Sequence, residues 1–187
     1  MERRIKKILR VIPAAFCALL LYVILHEGGH TIVAILAGSR ITEFNISLSN
    51  AHMSFEGGYY TSFMALWREA NGALLPLFIA YVYALLFRKE SKNTFYRLFS
   101  FLFCLVNTAS MIVWVVIPVL YMNGHYDQGE DGFKFVHLFS RYQSPVLVSI
   151  VALILLGTGI FLIVKKGILQ AYIDEIRTIG IPDTSLS

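Results

Sequence analysis

Long apolar runs separated by short polar stretches dominate the chain. Four of these runs reach the length of about 20 residues that a helix needs to cross a bilayer. They cover residues 11–38, 70–87, 98–121 and 145–164. The pattern therefore predicts an all-α multi-pass membrane protein with about four transmembrane helices.

Alternation of apolar and polar residues predicts a short β-hairpin between the first two runs. Residues 41–48 place Phe44 and Ile46 on one side of a strand, and residues 51–55 return as a second strand before Gly57 and Gly58. A free edge of such a hairpin can pair with an extended peptide. Phe44 and Ile46 are therefore candidate substrate-binding residues. The alternative is a hairpin that only covers the ends of the helices.

Two shorter segments show helical spacing of their apolar residues. Residues 131–140 predict a short re-entrant or amphipathic helix before the last span, with Phe133, Val136 and Phe139 facing inward. Residues 168–176 predict an amphipathic helix along the inner membrane surface, within a cytoplasmic tail of residues 165–187. The length of the chain favours one membrane domain over residues 1–187.

Composition and charge support a membrane protein and not a nucleic-acid-binding protein. Hydrophobic residues make up 57% of the chain and charged residues only 15%, which is far from the balance of a soluble domain. The net charge is +4, but Lys and Arg cluster at the ends of the apolar runs, where they indicate topology. The positive-inside rule predicts that both termini and the 88–97 loop are cytoplasmic, with residues 39–69 and 122–144 outside.

The pentapeptide His26-Glu27-Gly28-Gly29-His30 lies inside the first apolar run. On a helix, residues four apart share one face, so both imidazoles can bind one cation while Glu27 reaches its open side. Ionisable residues are costly in lipid, at about 2.5–3.5 kcal/mol each on insertion scales, which favours a functional site. The structural alternative is that these side chains only hydrogen-bond to neighbouring helices.

A catalytic zinc site usually has three protein ligands and one open position, so the two histidines need a partner. The partner should lie on the same side of the membrane as the second half of the first span. The loop from residue 122 to residue 137 holds the densest group of metal-capable residues outside the pentapeptide: His125, Asp127, Glu130, Asp131 and His137.

The pentapeptide, followed much later by the pair Asp131-Gly132, resembles the site-2-protease class of intramembrane zinc metalloproteases. The resemblance implies one Zn²⁺ per chain, bound by His26, His30 and Asp131, with Glu27 as the catalytic base. It also implies a membrane-protein or signal-peptide-like substrate. The longer Asn-Pro-Asp-Gly string that is frequent in this class is absent, and Asp127 is the alternative third ligand.

Arg68 and Glu69 directly precede the second apolar run, and Asn71 is its second residue. The side chain of Asn71 can donate and accept hydrogen bonds, which makes it a candidate for binding the substrate backbone or an oxyanion. The expected function is therefore that of a zinc-dependent intramembrane endopeptidase. The alternative is a non-catalytic membrane protein that binds a metal or relays protons through His26, Glu27 and His30.

Overall fold

The structure is a computed structural model that describes residues 2–47 and 51–178. It is mostly helical, with one two-stranded hairpin, which confirms the predicted fold class. The elements in chain order are α1 (Glu2–Leu36), β1 (Ser39–Asn45), β2 (His52–Gly57), α2 (Ser62–Leu85), α3 (Thr94–Ala109), α4 (Met111–Met122), α5 (Asp131–Phe139), α6 (Val146–Lys165) and α7 (Ile168–Thr178).

Three of the described helical segments are long and apolar enough to cross a membrane. They are Leu9–Leu36, Thr94–Met122 and Val146–Lys165, and the second of them consists of α3 and α4 joined at Ser110. The second predicted span forms helix α2, but α2 is not among these segments. Its first half carries Arg68, Glu69 and Asn71, which lower its hydropathy. The chain is a membrane protein in which three segments are long and apolar enough to span the bilayer and α2 carries polar residues in its first half.

The hairpin begins directly after α1 and stays close to its end. Gly38 has a φ of +81°, a left-handed conformation that ends the helix and turns the chain into β1. The strands are antiparallel, with Ser39 opposite Gly57 and a bulge between Ile41 and Glu43. The Ser39 hydroxyl donates to the Gly57 carbonyl over 3.1 Å. The hairpin is therefore fixed beside the end of α1 that carries the pentapeptide.

Helices α1 and α2 approach each other closely at the pentapeptide. Gly29 makes this approach possible, because a Cβ at that position would lie only 2.2 Å from the Asn71 carbonyl oxygen. The Asn71 side-chain amide donates in return to the Gly29 carbonyl over 2.8 Å. Small residues and interhelical hydrogen bonds are typical of helix contacts in membranes. This contact fixes the depth of the two histidines relative to α2.

Helix α5 confirms the predicted short helix before the last span. Phe133 and Val136 are buried with Ile117 of α4 and Val148 of α6, so they face inward as predicted. The contact at Gly132 is tight, since a Cβ there would lie 2.5 Å from Ile117 Cδ1. Helix α5 is thereby held against α4, and its first residue, Asp131, faces the bundle.

Helix α7 matches the predicted amphipathic tail helix, but protein covers part of its apolar face. Ile168 and Ala171 are buried in a cluster with Cys104 of α3 and Ile163 of α6. Glu175 forms an ion pair with Arg97 over 3.3 Å. Helical periodicity identifies an apolar face without showing whether lipid or protein will cover it, and here α3 and α6 do.

Candidate metal centre

Three metal-capable atoms meet in the structure, from His26, His30 and Asp131. The two histidine Nε2 atoms are 3.3 Å apart, and Asp131 Oδ2 lies 3.4 Å from His26 Nε2 and 2.9 Å from His30 Nε2. Ligand atoms at 2.0–2.1 Å from a tetrahedral zinc lie roughly 3.3 Å from one another. The three atoms therefore have the spacing and the chemistry of a zinc site with one position open.

A hydrogen bond to the backbone of Arg68 holds His30 Nδ1, so Nε2 is the ring nitrogen that faces His26 and Asp131. His30 Nδ1 lies 2.8 Å from the Arg68 carbonyl oxygen. A carbonyl only accepts, so Nδ1 carries a proton. When the ring is neutral, Nε2 has its lone pair available for a cation; without a cation, a second proton on Nε2 can be donated to Asp131. Lone pairs at these distances repel one another unless a proton or a cation lies among them. Fixing of a ligand by its second ring nitrogen is typical of histidines that bind metals.

Asp131 is the first residue of α5, and its carboxylate is only partly exposed. Burial alone would raise the pKa of Asp131. The hydrogen bonds with His26 and His30, together with the positive charges of His30 and Lys134, outweigh burial and lower that pKa below its ordinary value. The carboxylate is therefore ionised, as a metal ligand must be.

Glu27 is buried and lines the same cavity as the three candidate ligands. The cavity has a volume of about 660 Å³. Residues of α3 and α4 form its apolar wall, and residues of β2 form part of its rim. The wall and rim include Val106, Val113, Trp114, Ile117, His52, Met53 and Phe55. The space is large enough to admit a segment of polypeptide next to Glu27.

Gly72 leaves room for the two histidine rings. A Cβ at this position would lie 2.2 Å from His30 Nε2 and 3.0 Å from His26 Cε1. The backbone of α2 therefore passes directly beside the candidate ligand atoms. Any larger residue at position 72 would occupy the space that the imidazoles now use.

The structure separates the two aspartates that the sequence offered as the third ligand. Asp131 joins the histidines, whereas Asp127 is exposed and accepts a hydrogen bond from the Gly129 amide over 2.7 Å in a local turn. His125 is exposed, and His137 faces the Tyr121 hydroxyl. None of these three belongs to the group formed by His26, His30 and Asp131.

The three residues predicted to bind substrate lie outside the cavity wall. The Asn71 side-chain amide donates to the Gly29 carbonyl, so Asn71 joins α1 to α2. Phe44 and Ile46 are exposed, and neither lines the cavity. The strand that borders the cavity is β2, through His52, Met53 and Phe55. Alternation along β1 could not show which strand of the hairpin faces the site.

Two residues of the site were not predicted from the sequence. Tyr22 precedes His26 by four residues, lines the cavity, and has its ring centroid 5.8 Å from that of His26. Because residues four apart share one face of a helix, the sequence could have predicted that Tyr22 lies beside His26. Arg68 supplies the carbonyl that accepts from His30, and no sequence pattern predicts a contact through a backbone carbonyl.

The Arg68 side chain links α2 to the hairpin region. Its guanidinium carbon lies 4.9 Å from the ring centroids of both Phe55 and Tyr60. The guanidinium also forms an ion pair with Glu69, which is almost fully buried. Cation–π contacts on two rings and a buried counter-charge hold this side chain in one place.

Removal of the counter-charge should destabilise this part of the fold. We expect Glu69→Ala to lower the free energy of unfolding by about 3 kcal/mol, because a partly buried guanidinium loses its partner. Denaturant unfolding of the purified protein in detergent measures the change. Glu56→Ala, at an exposed position of β2, is the control and should stay within about 0.5 kcal/mol of wild type. Equal stability of Glu69→Ala and wild type would contradict the prediction.

Comparison with known proteins identifies the family. Residues 5–123 match the family described as Peptidase M50B-like. No curated protein and no solved structure matches the chain. The match covers more than half of the chain and includes the pentapeptide, but it ends before Asp131. The chain belongs to the Peptidase M50B-like family, a family of peptidases related to the site-2 proteases that its motifs resemble.

Proposed function

We propose that this protein is a zinc-dependent intramembrane endopeptidase. The observation that carries the proposal is the convergence of three ligand atoms, from His26, His30 and Asp131, beside Glu27 in one cavity. When bound there, zinc would lower the pKa of a water molecule toward about 7 and polarise a peptide carbonyl. The location of the pentapeptide in a candidate span supports cleavage within or at the edge of the membrane.

Glu27 is proposed to act as the general base and then as the general acid. Its carboxylate takes a proton from the attacking water and passes that proton to the leaving nitrogen of the peptide. Glu27 is next to His26 in sequence, and its side chain lines the cavity from the same helix. Apolar residues of α3 and α4 on the cavity wall, such as Val106 and Ile117, help to keep other water away from the reacting peptide.

The proposed substrate is a transmembrane or signal-peptide-like segment that has lost its helical hydrogen bonds at the cleavage site. A helical peptide shields its carbonyls, so the segment must be extended in order to react. Strand β2 is the strand whose residues line the cavity, and an extended peptide is proposed to add along it. We also propose that both termini are cytoplasmic, on the basis of the Lys and Arg distribution.

Metal analysis of variants tests the zinc site. We expect about one zinc per chain in the wild-type protein and in Asp127→Asn, because Asp127 contacts only its own turn. His30→Ala and Asp131→Asn should lose most of the metal, since each removes one of three protein ligands. Inductively coupled plasma mass spectrometry of protein purified in detergent measures the zinc content per chain. A wild-type protein without stoichiometric zinc, or an Asp131→Asn variant that keeps it, would overturn the assignment.

A further inference from the structure

Two buried polar atoms near the candidate centre have no hydrogen-bond partner among the described residues: His26 Nδ1 and Asn107 Oδ1. Asn107 is fully buried, and its side-chain amide donates to the Phe103 carbonyl over 2.6 Å. Its Oδ1 is therefore the atom of the carboxamide without a partner among the described residues, and this oxygen can only accept a hydrogen bond. Buried polar groups in native proteins almost always have a partner, so both atoms require an explanation.

The two atoms have complementary chemistry once a metal is bound. His26 Nε2 faces His30 Nε2 and Asp131, so it is the ligand nitrogen. The neutral ring then carries its proton on Nδ1, which becomes a donor. The corresponding nitrogen of His30 already donates to the Arg68 carbonyl. The second ligand histidine lacks an acceptor, and Asn107 Oδ1 is an acceptor that lacks a donor.

The packing of α3 on α1 places Asn107 at the level of His26. Phe103 of α3 is buried in one cluster with Ala18 of α1, and Leu21 and Leu25 of α1 pack against that cluster. Asn107 lies one helical turn beyond Phe103 on the same face. The next turn of α1 beyond this contact contains His26. The neighbouring α3 residues, Val106 and the helix-ending Ser110, line the cavity together with His26.

We propose that Asn107 is a positioning residue for the metal centre, whose Oδ1 accepts the hydrogen bond of His26 Nδ1–H when zinc is bound. This inference rests on the proposed function, because it assumes that His26 is a zinc ligand. The hydrogen bond fixes the tautomer and the ring orientation of His26, as the Arg68 carbonyl does for His30. The terminal torsions of His and Asn side chains are broad, so both groups can rotate toward each other.

Zinc affinity of two Asn107 variants tests the proposal. Asn107→Leu keeps the branching at Cγ but removes the acceptor, and we expect it to bind Zn²⁺ about 10–100-fold more weakly than wild type. Asn107→Asp restores an acceptor oxygen and should bind within a few-fold of wild type. Competition against a chelating dye, with the full chain in detergent, measures both. If Asn107 only packed the helices, the result would be reversed, because Leu suits an apolar contact and a buried charge does not.

Thr108→Val is the matched control. Thr108 is also buried on α3, but it lies against Gly159 of α6 and away from the histidines, so zinc affinity should not change. Wild-type zinc affinity in Asn107→Leu, or equal losses in Asn107→Leu and Asn107→Asp, would overturn the proposal. Absence of stoichiometric zinc from the wild type would instead contradict the proposed function itself.

A second measurement does not depend on the folding of a variant. In zinc-loaded wild-type protein with ¹⁵N-labelled histidine, we expect His26 Nδ1 to be protonated and its proton to exchange slowly with water. An unprotonated Nδ1, or exchange as fast as that of an exposed imidazole, would contradict a hydrogen bond to Asn107. This readout reports the state of one ring nitrogen, which a general effect on helix packing would leave unchanged.

Discussion

Glu27→Gln should lower kcat for peptide hydrolysis by about 10²–10⁴-fold while the protein keeps one zinc per chain. Gln has nearly the same shape as Glu, but its amide cannot take a proton from water at neutral pH. Glu27 supplies none of the three atoms that meet at the candidate centre, so metal binding should survive its substitution. The measurement combines cleavage of a membrane-peptide substrate, after reconstitution in lipid, with metal analysis of the same sample.

Glu90→Gln is the control for this experiment. Glu90 is exposed in the loop between α2 and α3, is not among the residues that line the cavity, and lies outside the three-residue group, so its substitution should leave kcat nearly unchanged. If Glu27→Gln cleaved substrate as fast as wild type, the catalytic role of Glu27 would be wrong. Zinc binding without any cleavage by wild-type protein would favour the non-catalytic alternative, in which the site binds metal or relays protons.

Gly72→Ala should weaken zinc binding by on the order of 100-fold, and activity should fall with it. The added methyl group would lie 2.2 Å from His30 Nε2, so the imidazole or the helix must move. Helix α2 cannot easily retreat, because Asn71, the preceding residue, is hydrogen-bonded to the Gly29 carbonyl of α1. The ring of His30 should therefore be displaced from the position in which its Nε2 faces Asp131.

Gly28→Ala separates this effect from a general effect of adding a methyl group. A Cβ at Gly28 would have no neighbour within 4 Å, so this variant should bind zinc like wild type. Chelator competition on the two variants and on wild type, under the same conditions, gives the comparison. Equal zinc affinities of Gly72→Ala and Gly28→Ala would show that the helices adjust freely, and would contradict the close approach at Gly72.

The sequence predicts the residues of the candidate site that lie on one helix more directly than the residue that joins them from another helix. His26, Glu27 and His30 were predictable because the spacing of four residues fixes their relation within one helix. The third residue depends on how α5 packs against α4. Asp127 and Asp131 are chemically equivalent side chains. The pair Asp131-Gly132 favoured Asp131 only through the family resemblance, and in the structure the start of α5 at Asp131 distinguishes the two. Tertiary packing, which no local sequence pattern encodes, places Asp131 and not Asp127 beside the two histidines.

The hairpin and α2 show two further limits of pattern analysis. Alternation predicted both strands, but it could not reveal that β2 borders the cavity and that Phe44 and Ile46 lie away from it. The apolar run from residue 70 predicted a second span, whereas α2 begins at Ser62 and includes Arg68 and Glu69. These charges are accommodated by an ion pair with each other and by the rings of Phe55 and Tyr60 on Arg68, and a count of apolar residues does not show such contacts.

Arg68 has a dual attachment that matters for how the protein responds to force. Its carbonyl oxygen accepts the hydrogen bond of His30, while its guanidinium lies over the rings of Phe55 in β2 and of Tyr60. A displacement of β2 would therefore act on the residue whose carbonyl accepts from His30, a candidate metal ligand. The hairpin is thus coupled to the candidate metal centre twice, through the chain that leads from α1 into β1 and through Arg68 of α2.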